Sequence, residues 1–322
     1  MIQKSLFKPS WWLSNAHFQT IWQTFFRKQP EVLTQRERFV LQDGDFIDLD
    51  WVGYEGGPIV LVLHGIAGNI ESAYAKGMLR TIADNQWHGV FMHFRGCSGE
   101  PNRLSRSYHS GETGDLNYIV TQLQKRYPKK SIAAVGFSMG GNVLLKWLGE
   151  TGEKNPLVGA VAVSVPLELE KSADHINKGL PRIYQWWLLR DLRELMVRKF
   201  KKATPGSIKV EDIEQIRTFW DYDNTITAPL HGFTDAHDYY TKSSVRQYLK
   251  KIQTPTLILH ASDDPFMAKD SIADDQDLSA KLTFELSDFG GHVGFVAGTP
   301  WKPVYWLEER IPIFLREFFN KK

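Results

Sequence analysis

SIAAVGFSMGGNVLLKWLGE, residues 131–150, runs from an apolar stretch of strand character into one of helical period through Gly136-Phe137-Ser138-Met139-Gly140-Gly141. A G-x-S-x-G sequence in that context is a turn so tight that side chains two residues either side of the serine would collide; hence glycine at 136 and 140. The serine takes a strained backbone conformation, and its Oγ is pushed above the strand ends at the helix N-terminus. Free N–H groups and the helix dipole there favour developing negative charge. Chance alone would produce the pattern about 0.1 times in a chain of this composition. Its weight therefore comes from the strand before it and the helix after it.

Similar apolar runs recur at Ile59 to Leu63, Gly89 to Phe94, Val158 to Val165, Thr256 to Leu259 and Leu282 to Leu286. Such runs suit strands covered on both faces, and helical-period stretches at 72–85, 113–126, 139–150, 268–279 and 303–319 supply the covering layers. Pro312 marks a kink or break in the last of these. The alternation predicts an α/β fold with a mostly parallel, doubly wound sheet. Upstream, residues 36–53 set Ile47, Leu49 and Trp51 against Phe46, Asp48 and Asp50 about an Asp43-Gly44 turn signal, so an N-terminal antiparallel hairpin is expected. From Leu167 to Lys251 there is helical periodicity but no convincing strand, more chain than a βα unit needs. This stretch reads as a helical cap insertion over the strand ends, where open α/β sheets bind ligands. The expected organisation is an N-terminal arm at 1–35, a core at 36–166 and 252–322, and the cap at 167–251.

A serine hydroxyl is a poor nucleophile at neutral pH and needs a base, which in this arrangement follows late in the chain with an acid between them. Asp263 and Asp264 follow the strand TLILHAS, and His292 follows in Phe289-Gly290-Gly291-His292. Of the ten histidines, only His292 combines that order, a loop position and small residues before it. Spacing from the strand favours Asp264 over Asp263 as its partner. An oxyanion hole needs one N–H from the residue after the nucleophile, Met139, and one from the loop after an early strand. That loop is His64-Gly65-Ile66-Ala67-Gly68, with Ile66 the preferred donor and Gly65 the alternative. His64 precedes the elbow and is read as structural.

The rest of the composition narrows the field. With 42% apolar and 24% charged residues, the 322-residue chain is an ordinary globular protein, and a net charge of +2 gives no case for nucleic acid. Cys97 is the only cysteine, which excludes an intrachain disulfide and a cysteine metal cluster. No secretory signal and no run of ~18 apolar residues is present, so a cytoplasmic location without a transmembrane segment is expected. The first 26 residues are rich in aromatics, from Phe7 and Trp11 to Phe25 and Phe26. They suit either peripheral membrane contact or an arm packed on the main domain, the second being favoured. Cys97 is read as a buried thiol. His109 with Asp115 resembles an acyltransferase or metal pattern, but a loop leading into a capped helix explains it more simply. His231, Asp235, His237 and Asp238 resemble a metal cluster in composition only, with no HExxH arrangement.

The elbow together with HGIAGN at 64–69, RGCSG at 95–99, YHSGETGDL at 108–116, SDDPF at 262–266, GGHVGF at 290–295 and NAHFQTIW at 15–22 resembles the YheT-like branch of the α/β-hydrolase superfamily (AB hydrolase family 4 type). That branch holds bacterial esterases akin to membrane-anchored animal acylglycerol and phospholipid hydrolases. The resemblance implies an α/β-hydrolase fold, a charge relay of Ser138, Asp264 and His292, and hydrolysis of a small-molecule carboxylic ester, an apolar acyl chain being one option. No counterpart of the membrane anchor of the animal relatives is expected here. No cofactor or metal is required. Alternatives are an acyltransferase using the same residues and a non-catalytic binding protein of this fold. Trp186, Trp187, Trp220, Tyr239 and Tyr240 are expected to roof an apolar acyl pocket or to pack the cap on the core.

Overall fold

The apolar runs become strands of one nine-stranded sheet in a computed structural model that describes residues 1–201 and 208–319. The strands are β1 (Ile2–Lys4), β2 (Gln35–Val40), β3 (Phe46–Gly53), β4 (Ile59–Leu63), β5 (His88–Met92), β6 (Ile132–Phe137), β7 (Gly159–Val163), β8 (Thr256–Ala261) and β9 (Leu282–Ser287). Their spatial order is β1-β9-β8-β7-β6-β4-β5-β3-β2, parallel from β1 to β5 and antiparallel from β5 through β3 to β2. A separate antiparallel hairpin joins β10 (Val296–Thr299) to β11 (Lys302–Tyr305).

Three layers follow from the two faces of each strand. Ile59, Leu61 and Leu63 of β4 face one apolar cluster with Leu116, Ile119 and Leu123 of α3 (Gly114–Arg126) and Val143 and Leu144 of α4 (Met139–Thr151). Val60 and Val62 face another, with Met78, Leu79 and Ile82 of α2 (Ala73–Asp84) and Ile311 and Leu315 of α11 (Trp306–Phe319). Strand order reverses beside β4, whose neighbours β5 and β6 lie on opposite sides of it. The loops leaving β4 and β6 therefore diverge in topology but adjoin in space, the arrangement that opens a crevice in doubly wound sheets.

Helix α1 (Ala16–Phe26) and strand β1 belong to the N-terminal arm, and β1 extends the far edge of the sheet beside β9. Between β7 and β8 the described residues contain no strand. They form α5 (Leu169–Ile176), α6 (Arg182–Phe200), α7 (Val210–Gln215), α8 (Phe219–Tyr222), a π-helical turn at Asp223–Thr227, α9 (Ala228–His231) and α10 (Ala236–Ser243).

Two local expectations are corrected. Residues 268–279 form two short 3-10 turns, Lys269–Ser271 and Asp275–Asp277, not a helix. Asp277 accepts the Asp274 N–H and both carboxylates bind Arg246, so the acidic side chains satisfy locally what a helix would satisfy along its backbone. Helix α11 runs through Pro312, which is buried among Ile311, Phe314 and Leu315. Tertiary packing there outweighs the lost N–H. In the expected hairpin, Asp48 and Asp50 lie inside, each opposite an arginine in register, Arg38 to Asp48 and Arg36 to Asp50, at 2.8–2.9 Å.

Two buried charge clusters shape stability. Arg95 is 2% exposed and binds Asp115 at the start of α3 (2.6 and 2.7 Å) and Asp43 and Asp45 in the hairpin turn (2.8 and 3.0 Å). Removing the guanidinium leaves Asp45 and Asp115 buried without their cation, which costs more than the ion pairs contribute. Arg95→Met should lower stability by about 3–5 kcal/mol with an unchanged denaturant slope, read by urea unfolding. In the helical stretch, Asp223 is buried and accepts from Thr227 Oγ1 (2.6 Å) and Tyr240 OH (2.7 Å). Burial pushes its carboxyl up to about 6 against the pull of those two donors. Folding thus favours the protonated acid, and that stabilisation, complete below the unfolded value, is lost as pH rises through 6. The stability of the wild type minus that of Asp223→Asn should fall by about 2 kcal/mol between pH 4 and pH 7 in paired urea titrations; a flat difference would mean that the carboxylate's charge is fully compensated.

Candidate active site

The turn at Ser138 has φ +52° and ψ −121°, a conformation that a side-chain-bearing residue adopts only under constraint. Its N–H donates to Val163 O (2.8 Å), which ties the turn to β7. A Cβ on Gly140 would lie 2.4 Å from His64 O, and one on Gly136 would lie 2.6 Å from Gly140 O. Both glycines are required by backbone approaching backbone. This contact is also what presses the loop after β4 against the elbow, so that a Cβ on Gly65 would come within 3.3 Å of the Ser138 Cβ.

His292 reaches across with Nε2 2.9 Å from Ser138 Oγ and Nδ1 2.8 Å from Asp264 Oδ2. Asp264 is 4% exposed, and its Oδ1 accepts the Phe266 N–H at 2.8 Å, so one oxygen is fixed by backbone and the other turned to the imidazole. The neighbouring Asp263 points elsewhere: Oδ1 accepts the Gly291 N–H at 2.9 Å, and burial, with the Asp264 charge beside it, pushes its carboxyl up to about 6. Asp263 thereby braces the loop that carries His292. The Phe266 ring stacks flat on the imidazole, centroids 4.0 Å apart and planes 6° from parallel.

Residues 290–295 form no repetitive structure, and helix α1 supplies much of the hydrogen bonding of this loop. Thr20 Oγ1 accepts the His292 N–H (2.9 Å), and Gln23 Nε2 donates to Val293 O and Gly294 O. Gln19 both donates to Val296 O and accepts its N–H. Ser164 Oγ, at the end of β7, accepts the Val293 N–H at 3.0 Å. A Cβ on Gly294 would meet Gln19 O at 2.4 Å, so the helix backbone lies directly against the loop. These partners sit some 270 positions away in sequence, and nothing in the spacing of NAHFQTIW identifies them; two glutamines four apart on one helix face are the available signal. Phe266 belongs to the SDDPF motif, but the motif does not reveal its stacking on His292.

Among the described residues, six non-glycine positions have positive φ, and five of them are Ala67, Ser138, Ser164, Val293 and Phe295. All five lie in the loops just described. Strain gathered in one place is a mark of a functional site.

The loop after β4 is arranged by hydroxyls. Tyr74 OH accepts the Gly65 N–H (2.9 Å), Tyr108 OH accepts the Ala67 N–H (2.9 Å), and Gly65 O accepts the Gly68 N–H. Ile66 is left, among the described residues, as the one position from 65 to 68 whose N–H has no acceptor. Gly65, the alternative donor, is already engaged. Met139 opens α4, where an N–H has no acceptor within its own helix. His64 is buried between Gly65 O and the Phe94 N–H, and burial lowers its imidazole to about 3. It is a neutral structural residue.

Two cavities open at Ser138. One, of about 360 Å³, is lined by Ile21 and Phe25 of α1, Trp187 of α6, Gly65 and His292. The other, of about 100 Å³, is lined by Met139, Leu169, Ile176, Phe219, Tyr239 and Tyr240. Of the aromatics expected to roof the site, Trp187, Tyr239 and Tyr240 line these cavities. Trp186 is 54% exposed, and Trp220 packs edge-on against Tyr240 while donating to Asp174.

The remaining candidates disperse. Cys97 is buried and burial pushes its thiol up to about 12, so it is no nucleophile. Asp115 is bound to Arg95, and His109 lies against His231 with ring centroids 4.4 Å apart. Asp235 caps α10, Asp238 binds Lys242, and His237 pairs with Glu170 at the surface. His109, Glu112 and His231 do come close enough to suggest a cation site. Two features oppose it: Arg106 already occupies Glu112, and His109 Nδ1 accepts the Gly111 N–H, which puts the imidazole proton on the nitrogen a metal would need. No helix among the described residues is long and apolar enough to cross a membrane.

This fold has counterparts in known proteins. The chain is 41% identical to the protein named "Putative esterase YheT" of Escherichia coli (strain K12), over 98% of this chain and 94% of that one. It is 30% identical to the monoacylglycerol lipase of Saccharomyces cerevisiae, over 82% of this chain and 60% of that one. The solved structure of the Pyrococcus furiosus esterase Pf2001 superposes with a TM-score of 0.57 at 16% identity, covering 90% of this chain and 94% of that one, a likeness of fold. A sequence profile described as "alpha/beta hydrolase fold" matches residues 58–299, and the chain belongs to that family, on its YheT-like branch.

Proposed function

We propose that this protein is a serine hydrolase that cleaves carboxylic esters through an acyl-enzyme, with Ser138 as nucleophile, His292 as base and Asp264 as its orienting acid. The observation that carries the reading is the unbroken hydrogen-bonded chain from Ser138 Oγ through both imidazole nitrogens to Asp264, beside two N–H groups without acceptors. Esterase and lipase names among its relatives point the same way.

In the first step Ser138 Oγ attacks the ester carbonyl carbon while its proton passes to His292 Nε2. The carbonyl oxygen becomes an oxyanion, held by the N–H groups of Ile66 and Met139; each such donor is worth about 10²–10³ in turnover. Asp264 stabilises the imidazolium and holds its tautomer. The proton on Nε2 then goes to the departing alkoxide as the C–O bond breaks, leaving the acyl group on Ser138. A water molecule deprotonated by His292 attacks this ester, and collapse returns the serine and releases the acid. No step calls for a metal or cofactor. The helical stretch at 167–251 acts as a cap over the site, contributing Leu188 and Tyr240 to its walls.

The test is Ser138-dependent turnover of a chromogenic ester together with labelling by a fluorophosphonate. Ser138→Ala should abolish labelling and lower kcat by about 10⁶. Asp264→Ala should cost about 10⁴, whereas Asp263→Asn, which keeps an acceptor for the Gly291 N–H, should cost less than about tenfold. Equal losses at the two aspartates would reject Asp264 as the specific partner of His292. Well-folded wild-type protein that neither labels nor turns over any ester would reject the reading as a whole.

A further inference from the structure

The two cavities at Ser138 share four lining residues, Ile66, Ser138, Leu188 and Phe266, and differ in what else they contain. His292 lines only the larger, and Met139 lines only the smaller. This asymmetry assigns the two halves of an ester. The oxygen that leaves must take its proton from His292 Nε2, so the alcohol has to depart on the side where that nitrogen is accessible. The carbonyl oxygen is held at the N–H groups of Ile66 and Met139. The third substituent of the tetrahedral carbon, the acyl chain, is left with the cavity beyond Met139.

We infer that the smaller cavity is the acyl site, that its size restricts the protein to short unbranched acyl groups, and that the larger cavity takes a bulky alcohol. The inference rests on the serine-hydrolase reading above and sharpens it to a substrate class. At about 100 Å³ against about 360 Å³, the cavity beyond Met139 is much the smaller of the two, so the acyl side of Ser138 is the confined side. With the carbonyl carbon at Ser138, chains as short as butanoyl are expected to fit better than long ones. The walls suit an alkyl chain over most of their area, with Leu169, Ala173, Ile176 and Phe219 facing it.

A buried polar wall limits any extension. Asp223 lines the same cavity, is 8% exposed, and is held by Thr227 and Tyr240. A longer chain that pushed against this group would strip it of partners without replacing them, which is unfavourable for any buried polar atom. The π-helical turn that begins at Asp223 places the carboxyl there, and single π turns recur where a helix presents a functional side chain. The larger cavity, at about 360 Å³ between α1 and α6, sets no comparable limit on the alcohol.

The experiment measures kcat/KM of the full chain for p-nitrophenyl acetate, butanoate, hexanoate and octanoate below their aggregation limits. The proteins are the wild type, Ser138→Ala, Ala173→Phe and Ile176→Ala, each checked for folding by circular dichroism. Wild type should favour butanoate over acetate and over octanoate by tenfold or more, the discrimination expected per misfitted methylene being about 10–200-fold. Ala173→Phe should lower the butanoate-to-acetate ratio at least tenfold, and Ile176→Ala should move the optimum to hexanoate or beyond. A wild-type protein that hydrolyses octanoate as well as butanoate, in a Ser138-dependent manner, overturns the acyl-site inference and leaves the serine-hydrolase reading standing. The acyl site is equally overturned if Ala173→Phe and Ile176→Ala, both folded, leave the acyl profile unchanged. If Ala173→Phe does not fold, the wild-type and Ile176→Ala profiles decide. Absence of any Ser138-dependent turnover overturns both.

Discussion

The contact on which this architecture depends is the backbone-to-backbone closure at the elbow, where Gly140 sits against the carbonyl oxygens of Leu63 and His64. No side chain fits in that space. Because β4 and β6 are neighbours on either side of the reversal in strand order, their C-terminal loops must pass each other closely, and glycine lets them touch. The strained conformation of Ser138 is a consequence: a chain that turns from strand to helix within one residue, with the turn also bound to Val163 O, has no unstrained alternative. The same closeness sets the loop that carries Ile66 against the turn that carries Ser138 and Met139. Tyr74 and Tyr108 occupy the neighbouring N–H groups and leave Ile66 free.

The His292 loop meets the opposite problem. It has to cross from β9 to the serine without becoming strand or helix, so its backbone groups have no ladder to join. Buried backbone groups in that situation need side-chain partners. Gln19 and Gln23 serve because an amide offers both donors and an acceptor, and Thr20 and Ser164 add two hydroxyls. The positive φ values of Val293 and Phe295 persist because this many contacts over-determine the loop.

Much of this was legible in the sequence, for reasons that differ by element. The central strands announce themselves because they are covered on both faces, which requires unbroken apolar runs such as IVLVL at 59–63. The meeting of Ser138, Asp264 and His292 could be read because each stands in a loop at a strand end and in a fixed chain order. What stayed hidden was short, or depended on partners far along the chain. β1 is three residues of mixed exposure, and β10 and β11 are four each, too brief for any period to emerge. The acidic run from Asp270 to Asp277 has helical spacing but spends its side chains on its own backbone and on Arg246. Asp48 and Asp50 follow the alternation of a half-exposed strand, and only the register with Arg38 and Arg36 reveals that both are buried.

Helix α1 illustrates why composition alone misleads. An aromatic helix near the start of a globular chain is expected to turn its rings inward. Here Gln19 and Gln23 are the buried positions, while Phe18, Phe25 and Phe26 are 57%, 55% and 63% exposed. The inversion follows from what the helix covers. An apolar face laid on residues 293–296 would leave their N–H and carbonyl groups unsatisfied, which costs more than leaving three rings partly exposed, because a buried unpaired polar group forfeits its whole hydration whereas an exposed ring keeps part of its contacts. The face toward the loop must therefore be polar, and the aromatic residues take the side that remains. Phe25 then reaches Trp187 of α6, with ring centroids 5.7 Å apart, and the pair forms part of the rim of the larger cavity. The requirement to satisfy one irregular loop thus fixes both the polarity of the N-terminal helix and the apolar character of the entrance above Ser138.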